Sequence, residues 1–161
     1  MFLSNSSNYP IGLDISDLSL KLVQLKKVRN KIRIQALNKV DLPAGYFDNG
    51  EIKNQQGIIK SIEKLLGDAK YGKISGNEII ACLPETKTFI KLIEVPRISG
   101  NINQSIESEL EKHIPMPINE IYYDWQLIED HPEKQLILIG AASRKIVNSY
   151  TELLDKAKLS I

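Results

Sequence analysis

Apolar and polar residues alternate along the N-terminal part of the chain, as in β-strands that bury one face. The pattern predicts a short strand over residues 11–15 and a longer one over about 18–28, joined by a polar turn at residues 16–19. A turn at Arg29-Asn30 leads into a third strand that is expected to expose one face to solvent. The residues assigned to its apolar face are Ile32, Ile34, Ala36, Val40 and Leu42, with Asn38 as an interruption.

Helical periodicity begins after Asn54, which is predicted to cap a helix. Residues 71–76 form a polar break, and the β-branched run over residues 78–83 predicts a buried strand that ends at Pro84. Asp48-Asn49-Gly50 is interpreted as a plain turn, although Asp-x-Gly can also mark a phosphate loop. The predicted helix carries an apolar stripe of Ile58, Ile62, Leu65, Leu66 and Ala69.

A second unit is predicted over residues 85–161, in the order strand, helix, strand, strand, helix. Its strands are expected over residues 88–95, 121–128 and 136–141. Ser99 or Asn101 would cap its first helix, and Ser143 would cap the last one. Both helices are expected to cover one sheet face and to leave the other face exposed. The helical stripes are Ile102, Ile106, Leu110 and Ile114, and then Ile146, Tyr150, Leu153, Leu154 and Ala157.

The amino-acid composition of the chain limits the classes of function that it could have. The 21 basic and 20 acidic residues are spread along the chain, which argues against nucleic acid as the main partner. The single cysteine, Cys82, excludes an internal disulfide and, with His113 and His131 lying far from it in sequence, shows no zinc-ligand spacing. Neither a secretory signal nor an apolar run long enough for a membrane span is present in the sequence. We therefore expect a cytoplasmic protein without a membrane span of its own.

The turn at residues 16–19 carries the candidate chemistry. A turn between two strands can point successive backbone N–H groups at a phosphate. Lys21 on the return strand would add a positive charge, and Asp14 at the end of the first strand could hold Mg²⁺ through water. The alternative is an ordinary hairpin, in which Ser and Asp occur because they bond their own backbone.

An ordered set of motifs makes the chain similar to the PilM family of actin-like type IV pilus assembly proteins. Gly12-Leu13-Asp14-Ile15, with Lys21 seven residues after the Asp, resembles the first phosphate motif of actin-like ATPases. The further matching motifs are Pro43-x-Gly45, Asn49-Gly50-Glu51-Ile52, Leu83-Pro84, Glu94-Val95-Pro96, Ile106-x-x-Glu109-x-x-Lys112-x-Ile114-Pro115-x-Pro117, Tyr123-Asp124-Trp125-Gln126 and Ala141-Ala142.

The resemblance implies an α/β fold with mixed sheets. Residues 1–84 would be the N-terminal part of an actin-like, ribonuclease H-like subdomain 1A. Residues 85–161 would be an SHS2-type β-α-β-β-α subdomain 1C, as in FtsA. Since the chain stops where subdomain 1C would return to 1A, we expect a fragment or a truncated relative with half a nucleotide site.

The resemblance also implies a nucleotide site for ATP and Mg²⁺. Its residues in this sequence are Asp14, Ile15, Ser16, Asp17 and Lys21, with Asp14 holding the metal through water. Ser16 and Asp17 make the turn bulkier and more negative than the glycine that relatives often carry. The family binds ATP with weak hydrolysis or none, and this chain alone is expected to be inactive.

The implied function is that of a cytoplasmic component of the pilus assembly platform, held at the inner membrane by the N-terminal tail of a PilN-like protein. Further copies of the chain and pilus motor proteins are also candidate partners. The tail is expected in a cleft between the two units, with Met116 and Phe89 as wall residues. The alternatives are a polymerising actin-like ATPase, FtsA-like or otherwise, and a nucleotide-free cytoplasmic domain of a type II secretion platform protein.

Overall fold

The computed structural model describes residues 8–96, 102–114 and 116–161 of the chain. Contacts divide the chain into two compact units. The first contains the described residues up to Pro84 together with Ser149–Ile161, and the second is Glu85–Asn148. The boundary between the units follows Pro84, and residues 149–161 pack with the first unit.

The first unit is built on a five-stranded sheet with strand order β6-β3-β2-β1-β7. Strands β1, β2 and β3 form an antiparallel meander, and β7 runs parallel to β1. The elements, in chain order, are β1 Asn8–Ser16, β2 Ser19–Val28, β3 Lys31–Asp41, β4 Phe47–Asp48, β5 Glu51–Ile52, α1 Gln55–Gly67, β6 Tyr71–Gly72 and β7 Ile79–Ala81.

Paired residues on neighbouring strands project to the same side of the sheet, and this places the core of the first unit. Leu13 opposes Leu22, Ile15 opposes Leu20, and all four are buried. Helix α1 packs on β2 and β3, and its buried residues are Ile58, Ile62 and Leu65. The predicted cap is confirmed, since Asn54 Oδ1 accepts a hydrogen bond from the Gly57 N–H at 2.9 Å.

Two amide side chains lie inside this core with their hydrogen bonds made. Asn38 Nδ2 donates to the carbonyl oxygens of Leu65 at 2.7 Å and Asp68 at 2.8 Å, at the C-terminal end of α1. Gln24 Nε2 donates to the carbonyl oxygen of Ser75 at 2.6 Å, and Gln24 Oε1 accepts from the Ser75 N–H at 2.9 Å. Each amide therefore ties a later segment of chain to the sheet.

Three apolar residues assigned to buried faces are exposed, and those assignments were wrong. Ile32 and Ile34 are 62% and 47% exposed, because a register shift between Gln24 and Leu25 interrupts the alternation of the β2–β3 pair. Ile80 is 65% exposed, and it lies on the face of β7 opposite to that of the buried Ile79.

The second unit is a three-stranded antiparallel sheet, order β8-β10-β9, with one helix on it. Its strands and helix are β8 Thr88–Pro96, α2 Ile102–His113, β9 Ile121–Asp130 and β10 Lys134–Ser143. Short 3-10 turns occupy Glu85–Lys87 and Ile118–Glu120. The proposed caps Ser99 and Asn101 lie outside the described residues. The buried core residues are Ile93, Val95, Ile106, Leu110, Ile114, Ile121, Ile137, Ile139 and Ala141.

The opposite face of the second sheet carries exposed apolar residues, as the sequence predicted. Ile90 and Leu92 on β8 are 71% and 50% exposed, and Leu138 on β10 pairs directly with Leu92. None of the described helices is long and apolar enough to cross a membrane.

Helix α3, Arg144–Lys156, begins in the second unit and ends in the first. Ser143 Oγ accepts a hydrogen bond from the Ile146 N–H at 3.2 Å, which confirms the predicted cap. After the helix, the Ser160 carbonyl accepts from Ile79 N–H at 2.8 Å and so joins the C-terminal residues to β7. This pairing joins Ser160 to the five-stranded sheet of the first unit.

Candidate functional site

The β1–β2 turn is short and held by its own side chains. Ser16 and Ser19 oppose each other across it, so that Asp17 and Leu18 form the turn itself. Ser16 Oγ donates to the Ser19 carbonyl at 2.9 Å and lies 3.1 Å from Ser19 Oγ. These bonds agree with the hairpin interpretation, in which the polar residues serve the turn.

The structure brings Asp14 and Lys21 together on the exposed face of this hairpin. They are direct partners in the β1–β2 register, and Lys21 Nζ lies 2.8 Å from Asp14 Oδ2. Both side chains are about half exposed, at 52% and 53%. The neighbouring Ile15, also assigned to the nucleotide site, faces the core instead, so its side chain is not part of this surface.

Asp17 is used in a chain of hydrogen bonds that the sequence analysis missed. Its Oδ1 accepts from the Gly50 N–H at 3.2 Å, and the Gly50 carbonyl accepts from Tyr150 Oη at 2.9 Å. Tyr150 is buried, with its ring centroid 6.1 Å from that of Phe47. Burial raises the pKa of the Tyr150 phenol, and the negative charge of Asp17 raises it further.

The Asp48-Asn49-Gly50 segment is a turn between β4 and β5, as predicted. Asn49 and Gly50 have φ of 49° and 77°, the backbone region that Asn and Gly adopt most readily. The Asn-Gly pair was therefore a usable signal for this turn. Its contacts with Asp17 and Tyr150 had no such signal, because neither residue is near it in sequence.

Within the described residues, no group of three or more His, Cys, Asp or Glu side chains could hold a metal ion. Asp14, beside the turn, offers one half-exposed carboxylate to a cation. That arrangement fits Mg²⁺, which keeps several waters and uses one or two carboxylates together with substrate phosphates.

The second unit contains a shallow groove of about 700 Å³ beside the C-terminal half of α2. Met116 lines this groove and is also packed against the core of the unit. Phe89 packs against the same core but is not part of the groove lining. The lining residues are Glu107, Glu111, Ile114, Met116, Pro117, Ile118 and Asn119.

Another part of α2 carries a surface ion-pair network. Glu109 Oε1 accepts from Lys112 Nζ at 2.6 Å, and His113 Nε2 lies 3.5 Å from Glu109 Oε2. Because Lys91 Nζ can only donate, its 3.0 Å contact makes His113 Nδ1 the acceptor.

Comparison with known proteins gives matches over nearly the whole chain. The family model described as Type IV pilus assembly protein PilM matches residues 12–161. A chain of the solved PilM-PilN type IV pilus biogenesis complex is similar in structure, with a TM-score of 0.79 at 24% sequence identity. The similarity covers 93% of this chain and 45% of that chain, so this chain spans less than half of its length.

Proposed function

Since the chain belongs to the family of the type IV pilus assembly protein PilM, we propose that it is a cytoplasmic component of the inner-membrane platform that assembles type IV pili. The main support for this proposal is the family match, which extends over residues 12–161 and so includes both units. The structure has the mixed α/β, partial actin-like fold that the sequence predicted. Within it, we assign the first unit to subdomain 1A and the second to an SHS2-type subdomain 1C.

The proposed partner is the N-terminal cytoplasmic tail of a PilN-like membrane protein, which would hold this protein at the membrane. The structural similarity to a chain of a PilM-PilN complex supports this partner. The alternatives, a polymerising ATPase or a type II secretion domain, receive no comparable support, because the matching family model is the pilus one.

The second unit offers apolar side chains for such a tail. Met116 lines an open groove, and an unbranched thioether side chain adapts to different apolar partners. Each Leu or Ile that a bound tail buries contributes about 1.5–3 kcal/mol, less the cost of ordering the peptide. A few anchors therefore suffice for micromolar affinity without nucleotide.

Titration of the isotopically labelled chain with a synthetic PilN-like tail peptide tests this function. We expect NMR shift changes at Met116 and at the neighbouring Ile114 and Ile118, with smaller changes at Phe89. Replacing Met116→Glu should weaken binding by roughly tenfold or more, because a charge replaces an apolar contact.

The matched control is Leu18→Glu, which places the same charge on an exposed apolar residue of the first unit. It should leave the tail affinity unchanged. Shift changes confined to the surface of α3 around Lys145 and Glu152 would contradict the assignment of the tail to this groove.

We further propose that the β1–β2 turn is half of a nucleotide site, completed by a second lobe in a longer chain. Bound Mg²⁺ would offset the phosphate charge. Asp14 would hold its waters, and Lys21, released from its 2.8 Å pair with Asp14, would contact a phosphate. Asp17 would support the shape of the turn, because its Oδ1 accepts a hydrogen bond from the Gly50 N–H at 3.2 Å.

Replacing Asp14→Ala should leave the fold of this chain intact. An exposed Lys–Asp pair contributes about 0–1 kcal/mol, so the urea midpoint should move little. In a chain that includes the second lobe, the same change should weaken Mg-ATP binding, measured by calorimetry. The control is Asp41→Ala, which removes an exposed ion pair with Lys39 on β3 and should leave nucleotide binding unchanged. A loss of stability as large as that of a core substitution would assign Asp14 a structural role instead.

A further inference from the structure

The groove beside α2 combines an apolar floor with an acidic wall. Ile114, Met116, Pro117 and Ile118 supply the apolar surface. Glu107 and Glu111, one helical turn apart on α2, supply two carboxylates, while Lys and Arg are absent from the lining among the described residues. A purely apolar peptide would cover the apolar surface but would leave the two carboxylates without a cationic partner.

The two carboxylates differ in their surroundings. Glu107 Oε1 accepts from Tyr123 Oη at 2.8 Å, which fixes its side chain against β9. Glu111 is exposed and forms no ion pair with any residue that the structure describes. The basic residue next to it, Lys112, is paired with Glu109. The negative partial charge at the C-terminal end of a helix adds to the negative potential of this wall.

We propose that this groove binds a short peptide in which Lys or Arg lies beside an apolar anchor such as Leu, Ile or Met. The inference rests on the proposed binding of a membrane protein's cytoplasmic tail and specifies the chemistry of that tail. Cytoplasmic segments next to membrane spans carry an excess of Lys and Arg, so such a tail supplies both features at once.

The expected geometry places the anchor on Met116 and Ile118 and the cation on Glu111. Glu107 contributes charge with less freedom to move, because Tyr123 already holds it. Charges at the rim of an interface mainly set the association rate and its salt dependence. A bound cation should therefore make the affinity fall as salt is added, whereas the apolar contact alone would not.

The test uses two synthetic peptides with the same apolar residues, one with two lysines and the other with glutamines at those positions. Binding to this chain is measured by fluorescence anisotropy at low and high salt. We expect the lysine peptide to bind roughly 3–30-fold more tightly at low salt, as two exposed ion pairs would give, with the advantage shrinking at high salt.

Substitutions in the groove wall test which carboxylates cause the tighter binding of the lysine peptide. The double variant Glu107→Gln with Glu111→Gln should remove most of the lysine advantage, and the amide oxygen of the first substitution can still accept from the Tyr123 hydroxyl. The matched control is Glu133→Gln, which removes the same charge from an exposed position between β9 and β10 and should preserve the advantage. Trp125 fluorescence checks that each variant is folded, because this residue packs on the core of the second unit.

The other outcomes separate the two proposals. Equal binding of both peptides would overturn this inference while leaving tail binding in place, and binding of neither would count against both. A lysine advantage that the Glu107 and Glu111 changes leave intact would place the cation elsewhere and overturn the inference. A concentration-dependent dimer that is abolished by Met116→Glu would assign the groove to a second copy of the chain and would also overturn the inference.

Discussion

Replacing Asn38→Ala should cost the first unit about 2–4 kcal/mol of unfolding free energy. The side chain donates to the buried carbonyl oxygen of Leu65 and to that of Asp68 at the end of α1. Losing the donor leaves one buried acceptor unpaired, at about 1–3 kcal/mol, and removes a second, partly buried hydrogen bond. The loss should appear in the hydrogen exchange of α1 amides such as those of Ile62 and Leu65.

Two further variants give this prediction its controls. Gln56→Ala removes an amide from an exposed position on the same helix and should cost almost nothing, since Ala is the better helix former. Asn38→Asp keeps the shape but turns a carboxylate toward two carbonyls, so it should destabilise at neutral pH and recover partly in acid. Equal stability of Asn38→Ala and the parent chain would show that the hydrogen bonds contribute little.

Alkaline pH should weaken the first unit through Tyr150. Burial and the nearby Asp17 raise the pKa of its phenol above the value near 10 of an unfolded tyrosine. The folded chain therefore keeps this proton where the unfolded chain releases it. The corresponding stability is fully present below about pH 10 and is lost as the pH rises toward the folded-state pKa.

Replacing Tyr150→Phe should remove this part of the pH dependence. At neutral pH the variant should also lose about 1–2 kcal/mol, because the Gly50 carbonyl no longer receives its hydrogen bond. Urea unfolding followed at neutral and alkaline pH measures both effects.

The matched control is Tyr71→Phe, which alters an exposed tyrosine on β6 and should behave as the parent chain. If Tyr150→Phe lost stability with alkaline pH as steeply as the Tyr71→Phe chain, the phenol would not be the responsible group.

The Tyr150 contact also bears on the candidate nucleotide turn. Gly50 lies between Asp17 and Tyr150, so the turn, the β4–β5 hairpin and α3 are joined by two hydrogen bonds. A loosened Gly50 would release Asp17 as well. In Tyr150→Phe, an altered Gly50 amide shift would report this connection directly.

The sequence by itself determined most of the local structure. Asn54 and Ser143 cap the helices that follow them, and the Asn49-Gly50 pair makes the predicted turn. The placement of Asp14 opposite Lys21 also follows from a short hairpin between two alternating strands. These features depend on residues within a few positions of one another, where periodicity and turn chemistry act.

Tertiary structure decided the features that depend on distant partners. Asn38 interrupts an apolar pattern in the sequence, but only the end of α1, 27 residues away at Leu65, shows what it bonds. Asp17 Oδ1 accepts a hydrogen bond from the Gly50 N–H, 33 residues away, and the Gly50 carbonyl accepts one from Tyr150, a further 100 residues along the chain. Likewise the last turns of α3, up to Lys156, are amphipathic, but the pattern cannot name their packing partner. Apolar periodicity states which face of an element is buried, and the three-dimensional fold alone selects the surface that buries it.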